Sequence, residues 1–256
     1  MTKILPAVTH PWREKIARRH TPRVFRGKRG FQSYRPCLRW EFGFSCAFCL
    51  CHERDLAAYG TEGTALTHVE HFVPQSRDEK GRNDYRNCFY SCRLCNVPRG
   101  AQPNEDDQGR SLLNPCDHAW GTRFVVVRDQ IHPRDEHDAD AAYTAKAYEL
   151  NAPPKVRMRK IRRMVIGQCI RFLQRTRSHE RHLLDLAEAG GGTRCVDIAR
   201  DAAAERTKAY SDLLRFRAVP HDRNAACGCG HTWHHRLPRA LEEQTIDLSG
   251  LRSQPR

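Results

Sequence analysis

With 256 residues, 39% apolar and 29% charged, the chain has room for one large domain or two small ones, each able to bury a core. No run approaches the roughly 18 apolar residues needed to cross a bilayer, and the N-terminus lacks the apolar stretch of a secretory signal, so the expected setting is the cytoplasm. The formal charge of +14 points to polyanionic partners.

That charge is concentrated. Residues 1–35 hold ten Lys/Arg against Glu14, a net of +9, and residues 155–181 hold ten against Glu180, again +9, leaving −4 for the rest. Two such segments are the footprint of a protein that neutralises phosphates. Residues 1–36 carry Arg18-Arg19 and Lys28-Arg29 between prolines 6, 11, 22 and 36, with little apolar periodicity, and read as a mostly irregular basic arm.

From Cys37 to Asn104 the pattern is that of a compact metal-organised unit. A cysteine knuckle at Cys46-Ala-Phe-Cys49 is followed by a helical stretch near Glu53–Tyr59, a strand at Leu66–Glu70, a charged loop with Gly81, and a second knuckle at Cys92-Arg-Leu-Cys95 that opens a helix. Phe124–Val127 and Asp129–Ile131 read as a hairpin. The remainder is expected to be helical. Asp138–Leu150 forms one helix that ends before Pro153-Pro154. Next comes a helix with an apolar stripe of Met158, Ile161, Val165, Cys169 and Phe172, then a break at Gly190–Gly192 and a last helix over about 194–217.

Twelve cysteines suggest a disulfide framework in a small secreted protein, but seven of them crowd into residues 37–95 and two pairs have CxxC spacing. Cys46, Cys49, Cys92 and Cys95 are therefore assigned to one structural Zn²⁺, the crosslink that a polar loop of this size needs to fix its geometry. Cys51 and Cys88 lack paired spacing and are read as packing residues; Cys37 is left unassigned.

Between and beside the knuckles stand Glu70, His71 and Asn96. Phosphodiester hydrolysis needs a base near neutral pKa and hard oxygen ligands for a divalent cation, and these side chains supply an imidazole, a carboxylate and an amide. Neighbours on a strand point to opposite faces, so Glu70 and His71 share a site only if the chain bends there, with Pro74 as the expected cause.

These residues resemble the HNH endonucleases of the ββα-metal class over about residues 37–100. The resemblance rests on Cys46 and Cys49, then Glu70-His71 with Pro74, then Asn87 followed after four residues by Cys92-Arg93-Leu94-Cys95-Asn96. It implies that His71 is the general base, that Glu70 and Asn96 hold a catalytic Mg²⁺ or Mn²⁺, and that Asn87 orders the loop positioning His71. Aspartate is commoner at position 70, and the extra methylene shifts the cation or interposes a water. Arg99 stands where lysine is common and is assigned to a phosphate. The wording around His68–Ser76, with Leu112-Leu113-Asn114-Pro115, is most similar to the Septu-type prokaryotic defence subgroup, which implies a companion ATPase.

The reading is an α+β protein: a basic arm (1–36), a zinc-stabilised ββα-metal core (37–104), a hairpin plus helical region (105–218) and a tail (219–256). The resemblance implies a hydrolase, expected to nick DNA with low sequence specificity. Expected phosphate contacts are Arg18, Arg19, Lys28, Arg29, Arg99, Arg159, Arg162 and Arg163. RNA cleavage, or binding without catalysis, are the alternatives; the oligomeric state is left open. In the tail, Cys227, Cys229, His231, His234 and His235 offer ligands for a second metal. Asp135–Asp140 reads as an acidic loop or helix start without chemistry.

Overall fold

A computed structural model describes residues 15–22, 30–58, 67–191 and 193–205 together with Cys227 and Cys229. Lys28, Arg29, His231, His234 and His235 lie outside the described residues.

The chain turns helical earlier than its prolines suggest. A 3₁₀ turn at Gly30–Tyr34 runs directly into α1 (Arg35–Glu41), with Pro36 in the first helical turn, where its missing N–H costs nothing. The boundary expected at residue 36 thus falls inside a helix. Phe44 and Leu50 take positive φ, which lets the chain wrap tightly around Cys46–Cys49, and the knuckle is closed by Cys46 N to Cys51 O (2.9 Å) and Leu50 N to Cys46 O (3.1 Å). After α2 (Glu53–Ala58), β1 (Thr67–His71) pairs antiparallel with β2 (Cys88–Cys92) in the register Thr67↔Cys92 to His71↔Cys88. Cys92 caps α3 (Arg93–Arg99), completing a ββα unit.

The first knuckle hangs on this sheet through Ala47 N to Tyr90 O (2.8 Å). Around it lies one aromatic core: Phe89 packs against Phe42, Phe48 and Phe72, and Phe48 stacks on Tyr148 at 3.8 Å. Inside it, Arg39 meets Glu53 through two bonds of 2.7 and 2.8 Å, and Tyr90 donates its hydroxyl to Glu53, so this buried charge pair is satisfied.

A short α4 (Trp120–Arg123) leads to the hairpin β3 (Phe124–Val127) and β4 (Gln130–Pro133). Its two turn residues, Arg128 and Asp129, both have positive φ, the primed turn that suits the strand twist. α5 (Ala139–Ala147) begins at Asp138, whose carboxylate accepts from Ala141 N. α5 stops at Ala147, with Glu149 at positive φ just beyond it, and Pro153-Pro154 start α6 (Pro153–Leu186), 34 residues and so roughly 50 Å long. Gly190, at φ 98, breaks it, and helical backbone resumes over 193–205.

The expected apolar stripe on α6 is only partly a core face. Met158, Leu173 and Leu183 are buried, whereas Ile161 and Phe172 are nearly half exposed; residue spacing alone gives a stripe but not the length over which another element covers it. Among the described residues no helix is long and apolar enough to cross a membrane.

Candidate active site

The four knuckle sulfurs come from two tight turns brought together by the β1–β2 register. All four cysteines are buried and their Sγ atoms lie within 4.8 Å of one another, with Cys49 and Cys92 at 3.6 Å. Zn–S bonds of about 2.3 Å in a tetrahedron put sulfurs roughly 3.8 Å apart, so the set fits a structural zinc. Four thiolates on one dication leave two negative charges in the core. α6 answers them with Lys155, which is fully buried and donates to the carbonyls of Tyr148 and Glu149. Burial works to discharge this ammonium, but the four cysteine sulfurs outweigh it and hold Lys155 above its ordinary range. The sequence pointed to the cysteines; this counterion, sixty residues downstream, had no local signal.

A pocket of about 390 Å³ opens beside β1, lined by His68, Glu70, His71, Gln75 and Asn96 together with Phe31. β1 stays regular through His71, and the chain bends only after it, at Phe72 and Val73. Glu70 and His71 nevertheless both line the pocket.

His71 is 5% exposed, and its ring is fixed on three sides. Nε2 lies 2.8 Å from the Arg82 carbonyl, which can only accept, so Nε2 carries the proton. Nδ1 therefore presents a lone pair, and it accepts from the Gln75 amide at 3.0 Å. Phe31 sets its ring edge-on at 4.6 Å. Burial, partly offset by the Arg82 carbonyl, lowers the His71 pKa, so the imidazole is neutral at pH 7.

Asn87 shapes the loop that brings that carbonyl to His71. Its Oδ1 accepts from Val73 N (2.8 Å) while Nδ2 donates to the carbonyls of Val73 (3.0 Å) and Gly81 (3.4 Å), tying both ends of the loop to one side chain. A Cβ at Gly81 would stand 2.2 Å from Asp78 Oδ2, so a larger residue there would displace the Asp78 carboxylate from the turn.

Glu70 is 5% exposed, and among the described residues no hydrogen bond or ion pair holds its carboxylate. Burial raises its pKa to about 8, against the pull of Arg99. The Asn96 amide, half-buried on the first turns of α3, lines the same pocket. One uncompensated carboxylate and one amide oxygen are hard donors that fit a divalent cation keeping several waters. Among the described residues, His68, Glu70 and His71 do not bring three ligand atoms within 4.8 Å of one another. His68 is half-buried, and desolvation with Arg35 and Arg93 keeps it neutral.

Several arginines assigned to phosphates are corrected. Arg99 is fully buried, its guanidinium committed to the carbonyls of Gln102 and Phe72 and to Asn104 Oδ1, so it braces the backbone after His71. Arg159 is buried on the carbonyls of Asp129 and Leu150. Arg18 bonds Glu41 and the Cys88 and Tyr85 carbonyls, and Arg162 pairs with Asp55 at 2.5 Å. Arg163 is held by Asp129 through two bonds but stays half-exposed. Arginine counts do not tell a solvated guanidinium from one that ties helix to hairpin. Arg19 is exposed, as are Arg157, Lys160, Arg171, Arg175, Arg177 and Arg181 along α6.

Residues 46–102 match a family model described as HNH endonuclease. No curated protein and no solved structure matches the chain. HNH nucleases use divalent metals, in keeping with the donors of this pocket. The matched span runs from the first knuckle to just beyond α3 and encloses both the cysteine set and the pocket: residues 46–102 of this chain are an HNH endonuclease domain.

Proposed function

We propose that the chain is a metal-dependent endonuclease that hydrolyses DNA phosphodiester bonds, nicking one strand per site with little sequence preference. The observation that carries the proposal is the pairing, in one pocket, of a buried carboxylate that has no hydrogen-bonded partner among the described residues with a neutral imidazole whose Nδ1 lone pair is directed by a carbonyl at Nε2. His71 takes the proton of the attacking water at Nδ1, once the Gln75 amide has moved aside. The Arg82 carbonyl keeps its bond to Nε2–H throughout and steadies the imidazolium that forms. Asn87 acts as a positioning residue through the loop. Mg²⁺ or Mn²⁺ held by Glu70 and Asn96 would supply charge neutralisation at the scissile phosphate and the departing oxygen.

Arg19 and the exposed α6 bases Arg157, Lys160, Arg171 and Arg175 provide backbone contacts that carry no base information. A basic nuclease of this kind endangers its own host, so restraint by a companion ATPase in phage defence belongs to the same proposal, tested by copurification from the native cell. Incubating the protein with supercoiled plasmid and Mg²⁺ or Mn²⁺ tests the chemistry. Open-circular product should precede linear, and His71→Ala should lose about 10²–10⁴ in rate. Unchanged nicking by that variant rejects the assignment, and preferential cleavage of a matched RNA strand moves the substrate to RNA.

A further inference from the structure

The tail run from Cys227 to His235 suggested a local metal cluster, but the structure gives Cys227 and Cys229 other companions. Their ligand atoms meet those of Cys37, on α1, and His20, on the arm, all within 4.8 Å of one another. Cys37 Sγ and Cys229 Sγ are 3.4 Å apart, comparable with the 3.6 Å between Cys49 and Cys92 in the knuckle set. Cys37 is fully buried and Cys227 is 7% exposed, while Cys229 and His20 are half-buried at the rim of the set. We propose that His20, Cys37, Cys227 and Cys229 form a second structural zinc site, outside the nuclease pocket, that fastens the arm at His20 and the segment at Cys227–Cys229 to α1.

Three features support the proposal. Three thiolates and one imidazole are the donor set that zinc takes in closed, four-coordinate structural sites, and the CxC spacing lets two ligands share one turn. The ligands come from segments that the fold itself brings together. His20 N donates to Glu41 at 2.6 Å, Arg18 pairs with the same carboxylate at 2.8 Å, and Ile16 N bonds the Pro115 carbonyl at 3.2 Å, so the arm lies against α1 and β2 before any metal is considered. Finally, 189 residues separate Cys37 from Cys227 in the sequence, and a crosslink that closes a loop of such length removes substantial freedom from the unfolded chain. α1 is continuous with the 3₁₀ turn that carries Phe31, the ring set against His71, so the same clip steadies one wall of the pocket.

Elemental analysis of the purified full chain tests this without reference to cleavage. Wild type should contain two zinc per chain, and Cys229→Ser and Cys37→Ser one each. Cys116→Ser, outside both sets, should keep two, and His20→Ala should release its second zinc to a chromogenic chelator at least tenfold faster. Because Cys37 is buried, Cys229→Ser carries the decision, with circular dichroism showing the helices retained. A single zinc in wild type that Cys229→Ser leaves in place overturns the proposal. So does full zinc content in every variant, or a Cys37–Cys229 disulfide found by alkylation and mass measurement of protein purified under reducing conditions.

Discussion

Replacing Glu70 by glutamine keeps the shape of the side chain and removes a charge that has no hydrogen-bonded partner among the described residues. Burial lifts the Glu70 carboxyl from its ordinary 4.5 to about 8. In that window the folded chain holds a proton that the unfolded chain has released, so stability falls as pH rises from the unfolded value to the folded one. At about 1.4 kcal/mol per pH unit, the loss is on the order of 2 kcal/mol at pH 6 and on the order of 4 kcal/mol at pH 8. Glu70→Gln escapes it. In buffer without Mg²⁺ or Mn²⁺, and without chelator so that zinc stays in place, the variant should melt above wild type by roughly 10 °C at pH 8 and about half that at pH 6, taking about 2–4 °C per kcal/mol for a chain of this size. Adding Mg²⁺ should raise wild type alone and narrow the gap, while plasmid nicking by the variant stays at background. Scanning fluorimetry across pH 5–9 reads both effects. A melting difference that does not change with pH, or a wild type more stable than the variant at pH 8 without magnesium, refutes the reasoning that makes this carboxylate the uncompensated charge of the site.

Asn87→Ala removes three hydrogen bonds from the loop over 73–81 and should cut nicking at least tenfold while global stability falls by only about 1–2 kcal/mol, measured by urea unfolding beside the plasmid assay. Lys155→Met strips the buried counterion from the knuckle cysteines; it should destabilise the fold by about 3–5 kcal/mol and speed zinc release to a chelator. Cleavage at saturating metal should keep its acid limb below pH 6.5, because burial favours neutral His71; at limiting metal a second limb near pH 8 should emerge, as cation and proton compete for Glu70. Lys160→Glu with Arg175→Glu should weaken duplex binding and flatten the salt dependence by about 0.9 for each phosphate no longer neutralised, read from binding isotherms at several salt concentrations.

The knuckles and the β3–β4 hairpin were legible because their signals are local: CxxC spacing marks a turn, and β-branched residues flanking polar ones mark the hairpin. What was hidden lies in long-range pairing. The 3₁₀ turn and α1 were obscured by prolines that in fact start a helix, and nothing near Phe31 announces that its ring will meet His71. The adjacent Glu70 and His71 call for a bend within the strand on alternation alone, yet β1 stays regular through His71 and both residues line the pocket. Arginine-rich stretches look alike in the sequence, whereas Arg99, Arg159 and Arg162 spend their donors on carbonyls and carboxylates from other elements. A guanidinium has five N–H groups, and only the folded chain decides whether phosphate or protein receives them.

The amide of Gln75 at the proton-accepting nitrogen of His71 has a kinetic meaning. A water reaches that nitrogen only after the amide swings aside, and side-chain rotations of this kind take picoseconds to nanoseconds. Gln75 therefore sets an occupancy rather than a rate: about 1 kcal/mol of hydrogen bonding keeps the imidazole capped most of the time, and whatever substrate draws the glutamine away uncaps it.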